Sequence, residues 1–155
     1  MNFHHLVEIN DPLLPLIENL TRAQLWQGLL RRMTEPGLFV PYLDDCQITQ
    51  QSPQRFSRTL RYDDVSIDDV VTLTPQQQIQ VEVPAQKEIA ASVLTVTIEE
   101  PQPDHLFVRF SYGDDSTPQA NSAEAFYDSF RRSAYQEADI DTIKQIRQMA
   151  QDGKL

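Results

Sequence analysis

The sequence predicts an α+β fold in which a curved, seven-stranded antiparallel sheet is covered by a long C-terminal helix. A series of short segments with alternating apolar and polar residues runs from residue 44 to residue 113, and no helical segment interrupts it. From Asn121 to about Asp152 the period changes, and apolar residues recur at helical spacing. Because an amphipathic helix must bury its apolar side, we expect it to lie on the sheet. A curved sheet covered in this way can leave a cavity beneath the helix.

The N-terminal region is predicted to contain one strand followed by two short helices. Residues 3–9 form the first strand, and one side of it carries Phe3, His5, Val7 and Ile9. Two prolines then prevent a regular continuation of this strand. A capping box of Thr21 and Gln24 begins a helix that ends near Arg32. A second, shorter helix is expected over residues 37–40, where nearby prolines and a glycine limit its length.

Six further strands complete the predicted sheet. The segments between them are short enough for hairpins, and parallel strands would need longer crossover connections. The sheet is therefore expected to be antiparallel throughout. The predicted strands cover residues 44–51, 54–62, 65–74, 77–83, 91–100 and 105–113.

The final helix has a well-defined start. Asn121 can cap it, with Glu124 at the third helical position. The acidic residues around Asp139 are able to kink or divide so long a helix. Its expected sheet-facing side consists of Phe126, Phe130, Ala134, Ala138, Ile140, Ile143, Ile146 and Met149.

Two hairpins can be placed in register from the sequence. A two-residue turn at Asp63 and Asp64 puts Arg58 opposite Asp69, on the face that also carries Phe56 and Leu60. The charged pair is therefore predicted to point inward. In the last hairpin, the apolar pattern pairs Leu94 with Phe110, Val96 with Val108 and Ile98 with Leu106.

Arg58 and Asp69 are the strongest candidates for a functional site. A buried ion pair is seldom a net stabiliser, because removing two charges from water costs several kcal/mol for each ion. In one interpretation the pair lines a ligand cavity, where Arg58 holds an oxygen of the ligand and Asp69 orients Arg58. In the other, it is a partly hydrated structural pair near the rim of the sheet.

Four further residues are candidate ligand contacts. His5 shares the inward side of the first strand, although a lone inward histidine is more often a core residue. The others are Tyr62, Tyr112 and Phe130, which can present aromatic rings or a hydroxyl to a cavity. No metal site is predicted, because His4 points away from His5 and His105 begins a distant strand.

Composition restricts the classes of function. The 155 residues are expected to form one domain, and their net charge of −10 without a basic patch disfavours nucleic acid and anionic membranes as partners. No apolar run is long enough to span a membrane. Cys46, the only cysteine, is read as a strand residue and indicates a reducing, cytoplasmic location. Only four glycines occur, none in a phosphate-binding loop, and we expect no cofactor.

Six segments carry a family resemblance, and together they span nearly the whole chain. The sequence resembles the AtaL-like group of the START-related SRPBCC superfamily, whose members have the helix-grip fold of the birch-pollen allergen. The resemblance implies that the first strand lies beside the seventh, that the short helices lie on the concave side, and that a pocket separates sheet and helix. The segments are HLVEINDP (5–12), LTRAQLWQGLLRR (20–32), LFVPYLDDCQI (38–48), LTVTIEEP (94–101), LFVRFSY (106–112) and AFYDSFRRSAYQEADIDTIKQIRQMA (125–150).

Three functions follow as hypotheses. The resemblance implies a protein that binds an apolar, polyketide-like or lipid-like small molecule, with residues 84–90 and 113–120 at the mouth of its pocket. The second hypothesis is a cyclase or dehydratase that uses Asp69 or His5 as a base beside Arg58. The third is a partner-binding module without a ligand, for which an exposed apolar patch would be the sign. A homo-oligomer is possible in each case.

Overall fold

The computed structural model describes residues 2–14, 18–114 and 122–155, without the side chains of residues 122–124. Within these ranges, seven strands form one antiparallel sheet in the order β1-β7-β6-β5-β4-β3-β2, which confirms the predicted fold class. The strands are β1 (Asn2–Glu8), β2 (Asp45–Ser52), β3 (Arg55–Tyr62), β4 (Val65–Thr74), β5 (Gln78–Val83), β6 (Ser92–Gln102) and β7 (His105–Asp114).

In the part of the chain that the structure describes, two α-helices accompany the sheet, α1 (Arg22–Thr34) and α2 (Ser122–Gln151). The predicted capping box of Thr21 and Gln24 is present at the start of α1. The second short helix is a 3₁₀ turn, Pro36–Leu38, and not a longer helix. None of the described helices is long and apolar enough to cross a membrane.

The concave face of the sheet has a closed end and an open end. At the closed end, beneath α1 and the C-terminal half of α2, the inward side chains of Phe56, Val71, Ile79, Val96 and Val108 are at most 2% exposed. At the opposite end of the same face, the inward side chains remain half-buried. We call this open end the recess, and its wall is formed by Phe3, Tyr62, Ile67, Val83, Leu94 and Tyr112.

Helix α2 is continuous, so the expected kink at Asp139 is absent. The predicted sheet-facing side is confirmed at Ile143 and Ile146, which are buried, and is wrong at Phe126 and Phe130, whose rings are 75% and 65% exposed. Asp139 lies nine residues after Phe130, which is two and a half helical turns, and therefore faces the opposite direction. The side of α2 that turns inward carries Tyr135, Asp139, Thr142, Ile143 and Ile146.

The helices cross where Gly28 of α1 meets Ile146 of α2. A Cβ atom built on Gly28 would lie 2.4 Å from Cγ2 of Ile146, which is closer than carbon atoms can approach. The absence of a side chain at Gly28 therefore allows the two helices to touch. This contact fixes the C-terminal half of α2 over the closed end of the sheet.

The two predicted hairpin registers differ in outcome. The register of β3 and β4 is confirmed, including Arg58 opposite Asp69. The predicted register of β6 and β7 is wrong by two residues, and the observed pairing also shifts by one residue between Glu99 and Gln102 near the turn. The observed pairs are Leu94 with Tyr112, Val96 with Phe110 and Ile98 with Val108.

Candidate functional site

A hydrogen-bonded cluster connects α2 to the sheet beside the recess. Asp139 is only 8% exposed, and its carboxylate lies over β1 and β7. Nε2 of His5 is 2.7 Å from Oδ2 of Asp139. The hydroxyl of Tyr112 donates to the same carboxylate, at 2.9 Å from Oδ1 and 2.7 Å from Oδ2. A buried carboxylate therefore has a donor from each of two neighbouring strands.

Strand pairing and aromatic stacking place the two donors. Phe3 pairs with Tyr112, so the next inward residue of β1, His5, stands beside Tyr112. The His5 ring stacks on Phe110, with centroids 5.4 Å apart. Tyr135, one helical turn before Asp139, stacks on Tyr112 at 4.1 Å with nearly parallel rings. Tyr112 is thus held both through its ring and through its hydroxyl.

The burial of this cluster changes its acid–base chemistry. Burial raises the pKa of Asp139 above its ordinary value, against the opposing effect of the hydrogen bonds from His5 and Tyr112. Burial and the charge of Asp139 raise the pKa of Tyr112, so Tyr112 stays a neutral donor at physiological pH. Asp139 can therefore orient His5 and take part in proton transfer.

Arg58 and Asp69 form a buried, two-pronged ion pair. Nε of Arg58 is 2.9 Å from Oδ1 of Asp69, and Nη2 is 2.7 Å from Oδ2. The remaining nitrogen, Nη1, donates to the carbonyl of Met33 near the end of α1, at 2.9 Å. The two residues are 6% and 3% exposed, so the pair is not the hydrated rim pair of the second interpretation. All three nitrogens of Arg58 are engaged in holding α1 to the sheet.

Arg32, which precedes Met33, is a residue that the sequence analysis missed. Its guanidinium carbon lies 6.0 Å from the centre of the Phe39 ring. The side chain is half-buried and lies within electrostatic range of Arg58, Tyr62, Asp139 and Tyr112. Its position follows Leu25 and Leu29 at helical spacing, which is the signal that could have identified it as inward-facing.

The residues that were predicted from the sequence as ligand contacts lie in four different parts of the structure. His5 and Tyr112 meet at Asp139, and Arg58 pairs with Asp69. Tyr62 lies at the edge of the recess, where its ring centre is 6.0 Å from that of Tyr42 and burial raises the pKa of its hydroxyl. Phe130 was wrongly expected at this site, since it lies on the exposed side of α2.

Two segments, residues 84–90 and 113–120, were expected at the mouth of the recess. Residues 84–90 directly follow Val83, a residue of the recess wall. Of the other expected mouth segment, residues 115–120 lie outside the described ranges.

Cys46 lies on β2 opposite Leu60, and burial raises the pKa of its thiol, which disfavours a reactive thiolate.

A second polar cluster lies at the far end of β1 and was not expected. Because β7 pairs with β1, His105 lies near Glu8, at the end of β1 opposite to His4 and His5. Potential ligand atoms of Glu8, Asp11 and His105 lie within 4.8 Å of one another. The Nε2 atom of His105 is 2.9 Å from Oε2 of Glu8, so an ion pair accounts for this contact.

Comparison with known proteins gives a family and a fold. The model of the family AtaL, described as "Acetylaranotin biosynthesis cluster protein L", matches residues 7–153. No curated protein sequence matches the chain.

Several solved structures share the helix-grip architecture. The di-domain aromatase/cyclase StfQ of the steffimycin biosynthetic pathway has a TM-score of 0.73 and 7% identity over 97% of this chain, which spans 51% of StfQ. The Zhui aromatase/cyclase from Streptomyces sp. R1128 has a TM-score of 0.64 and 11% identity, covering 97% of this chain and 95% of its own. The Aha1 dimer from Colwellia psychrerythraea has a TM-score of 0.62 and 14% identity, covering 94% and 96%.

Proposed function

The chain belongs to the AtaL family, and on that premise we propose that it binds an apolar or polyketide-like small molecule in the recess. The observation that carries the proposal is the contrast between the two ends of the concave face. Val71 and Val108 at the closed end are fully buried, whereas Leu94 and Tyr112 at the open end remain half-buried. Apolar side chains that point inward and still meet solvent form a surface that a ligand can cover.

The chemistry of the recess suits an aromatic or otherwise planar ligand. Phe3 and Tyr112 line the recess with rings whose centroids are 6.2 Å apart, and one face of Tyr112 is already covered by Tyr135. Leu94 lies beside Tyr112 in the next strand. Covering apolar surface contributes about 25 cal/mol for each Å² removed from water. Tyr62 and His5 add a small number of polar groups, which is the usual composition of a small-molecule site. Arg58 and Asp69 support this site by holding α1 in place.

Binding can be tested with a neutral aromatic probe, 2-acetylnaphthalene, by isothermal titration calorimetry. A Leu94→Trp variant places a larger side chain in the recess, whereas Val93→Trp places it on the outer face of the same strand. We expect the wild-type protein to bind the probe, Leu94→Trp to weaken binding at least about tenfold, or 1.4 kcal/mol, and Val93→Trp to leave it unchanged. No binding by the wild-type protein, or equal loss in both variants, would contradict the proposal.

A second candidate function is a cyclase or dehydratase in the same recess. The observation that favours it is the pairing of His5 with buried Asp139, since a histidine oriented by a carboxylate can take a proton from carbon next to a carbonyl. Within the described residues, Nδ1 of His5 has no hydrogen-bond partner and is the ring atom left for that proton. Two of the similar structures, StfQ and Zhui, are described as aromatase/cyclases, which agrees with this candidate.

The rate of proton exchange on a ketone distinguishes an enzyme from a protein that only binds its ligand. We expect an enzyme to accelerate deuterium exchange at C1 of 2-tetralone, followed by NMR, and His5→Gln to abolish the acceleration while the affinity for 2-acetylnaphthalene is kept. A matched His4→Gln variant changes the outward-facing neighbour on β1. If the exchange rate equals that of buffer alone, the protein binds its ligand without this chemistry.

A further inference from the structure

We propose that Arg32 is the anion-binding residue of the recess, so that the preferred ligand carries a planar oxyanion, a carboxylate or an enolate, at the end that reaches α1. This inference rests on the proposed function, because it names the chemical class of ligand for the same site. It transfers to Arg32 the role that the sequence analysis gave to Arg58.

Arg58 and Asp139, the buried charged groups nearest to Arg32, already have partners, whereas Arg132, over the Phe3 ring, is exposed to solvent. Arg58 uses all three nitrogens, two on Asp69 and one on the carbonyl of Met33. Asp139 accepts hydrogen bonds from His5 and Tyr112. Neither group has a strong unused interaction to offer a ligand.

Arg32 differs from them because no described residue forms a hydrogen bond or an ion pair with its guanidinium. The other arginines of α1 are all paired: Arg22 with Glu100 at 3.0 Å and Arg31 with Glu35 at 3.0 Å. An arginine that is half-buried without a hydrogen-bonded partner carries a desolvation cost, which the charge of Asp139 and the Phe39 ring offset only in part. Burial and the charge of Arg58 accordingly lower the pKa of Arg32, although an arginine remains protonated at neutral pH.

The surroundings of Arg32 hold its charge next to the recess. Its guanidinium lies over the Phe39 ring, which supports one side of the group. Tyr62 and Tyr112, two residues of the recess wall, are both within range of its charge. Arg58, fixed on the carbonyl of the next residue in α1, is neutralised by Asp69, so its charge does not compete with Arg32 for a ligand.

The geometry of a guanidinium limits the ligand. Its N–H groups form a planar fork that matches two oxygens of a carboxylate, or the oxygens of a 1,3-dicarbonyl enolate. Charge-assisted hydrogen bonds of this kind are about twice as strong as neutral ones. An aromatic or polyketide-like body in the recess, with such an oxyanion at one end, would satisfy both the apolar wall and Arg32.

A matched pair of probes tests the inference by calorimetry. We compare 2-naphthoate with its neutral analogue 2-acetylnaphthalene in the wild-type protein, in Arg32→Gln and in Arg31→Gln, whose altered residue is paired with Glu35 on the surface of α1. We expect the wild-type protein to prefer 2-naphthoate by about tenfold, or 1.4 kcal/mol. Arg32→Gln should abolish this preference without lowering the affinity for the neutral probe, and Arg31→Gln should keep the preference. Arg32→Lys should retain part of it.

The outcomes distinguish the inference from the proposed function. If the wild-type protein binds both probes equally, or if Arg32→Gln leaves the preference intact, the assignment of Arg32 is wrong while the recess remains a binding site. If the wild-type protein binds neither probe, the proposed function fails and the inference fails with it. A merely structural role for Arg32 would weaken both probes together, and that result would also overturn the assignment.

Discussion

The hydroxyl of Tyr112 lies 2.9 Å and 2.7 Å from the two carboxylate oxygens of Asp139, and this contact connects β7 to the middle of α2. It lies beside the point where the concave face changes from closed to open. The C-terminal part of α2 beyond Asp139 is buried against the core through Ile143 and Ile146, whereas Phe126 and Phe130 before it are exposed. The contact between Tyr112 and Asp139 therefore lies at the start of the part of α2 that is packed against the core.

Removing the Tyr112 hydroxyl should destabilise the protein. A Tyr112→Phe variant leaves the buried carboxylate of Asp139 with His5 as its remaining donor, and we expect a loss of about 1.5–3 kcal/mol in the free energy of unfolding. Urea denaturation measures this change. Tyr127→Phe alters an exposed tyrosine of α2 and should change stability by less than about 0.5 kcal/mol. Equal effects of the two substitutions would show that the hydrogen bond is not formed.

The raised pKa of Asp139 predicts a specific pH dependence of stability. The folded protein binds a proton at Asp139 more readily than the unfolded chain does, so the resulting stabilisation is complete below the ordinary value of 3.8. It is lost as the pH rises through the raised pKa of the folded state. The free energy of unfolding of the wild-type protein should therefore fall relative to that of Asp139→Asn as the pH increases from about 4.

Denaturation of both proteins across this range tests the prediction, with Asp141→Asn as the control for removing an exposed carboxylate from the same helix. A wild-type protein that gains stability relative to Asp139→Asn with rising pH would contradict the assigned direction. It would mean that the hydrogen bonds from His5 and Tyr112 outweigh burial.

Removing one partner of the Arg58–Asp69 ion pair should destabilise the protein more than replacing both residues with apolar ones. Asp69→Ala leaves a buried guanidinium without its partner, for which we expect a loss of about 3–5 kcal/mol. The double variant Arg58→Met with Asp69→Leu removes both charges and should recover most of that loss. Arg61→Ala removes an exposed ion pair with Asp44 and should cost at most about 1 kcal/mol. A double variant as unstable as Asp69→Ala would show that the pair is a net stabiliser.

The contact between α1 and α2 should be sensitive to one added methyl group. Gly28→Ala places Cβ against Ile146, and overpacking of this kind typically costs about 1–3 kcal/mol. Gly37→Ala is the matched control, since no atom lies within 4 Å of the added group. Ile146→Ala removes the Cγ1, Cγ2 and Cδ1 atoms that the added methyl group would meet, so the loss of stability in the double variant should be smaller than the sum of the two single losses in thermal unfolding. Additive losses in the double variant would contradict the proposed contact.

Local sequence patterns predicted the parts of the fold that depend on local geometry. The turn at Asp63 and Asp64 sets the register of β3 and β4, so the pairing of Arg58 with Asp69 followed directly. In β6 and β7 a shift of two residues leaves every side chain on the same face, and the apolar pattern therefore could not distinguish the registers. The turn at residues 103 and 104, together with the one-residue irregularity between Glu99 and Gln102, sets the observed pairing.

The centre of the site could not be predicted, because it depends on contacts between distant elements. Asp139 resembles a helix-disrupting residue in the sequence, and only the arrival of His5 and Tyr112 from β1 and β7 makes it an interior carboxylate. Arg32 lies close to the predicted end of α1, where a basic residue normally faces solvent and interacts with the helix dipole. Its partial burial arises from the position of α1 on the sheet.

The most direct test of the central claim is the location of a bound probe by NMR. In protein with ¹³C-labelled methyl groups, we measure intermolecular nuclear Overhauser effects from 2-acetylnaphthalene to valine, leucine and isoleucine side chains. The account predicts contacts with Ile67, Val83 and Leu94, which face the recess. Contacts with Val70 and Val93, on the outer face of the same strands, would contradict it, as would the absence of any contact.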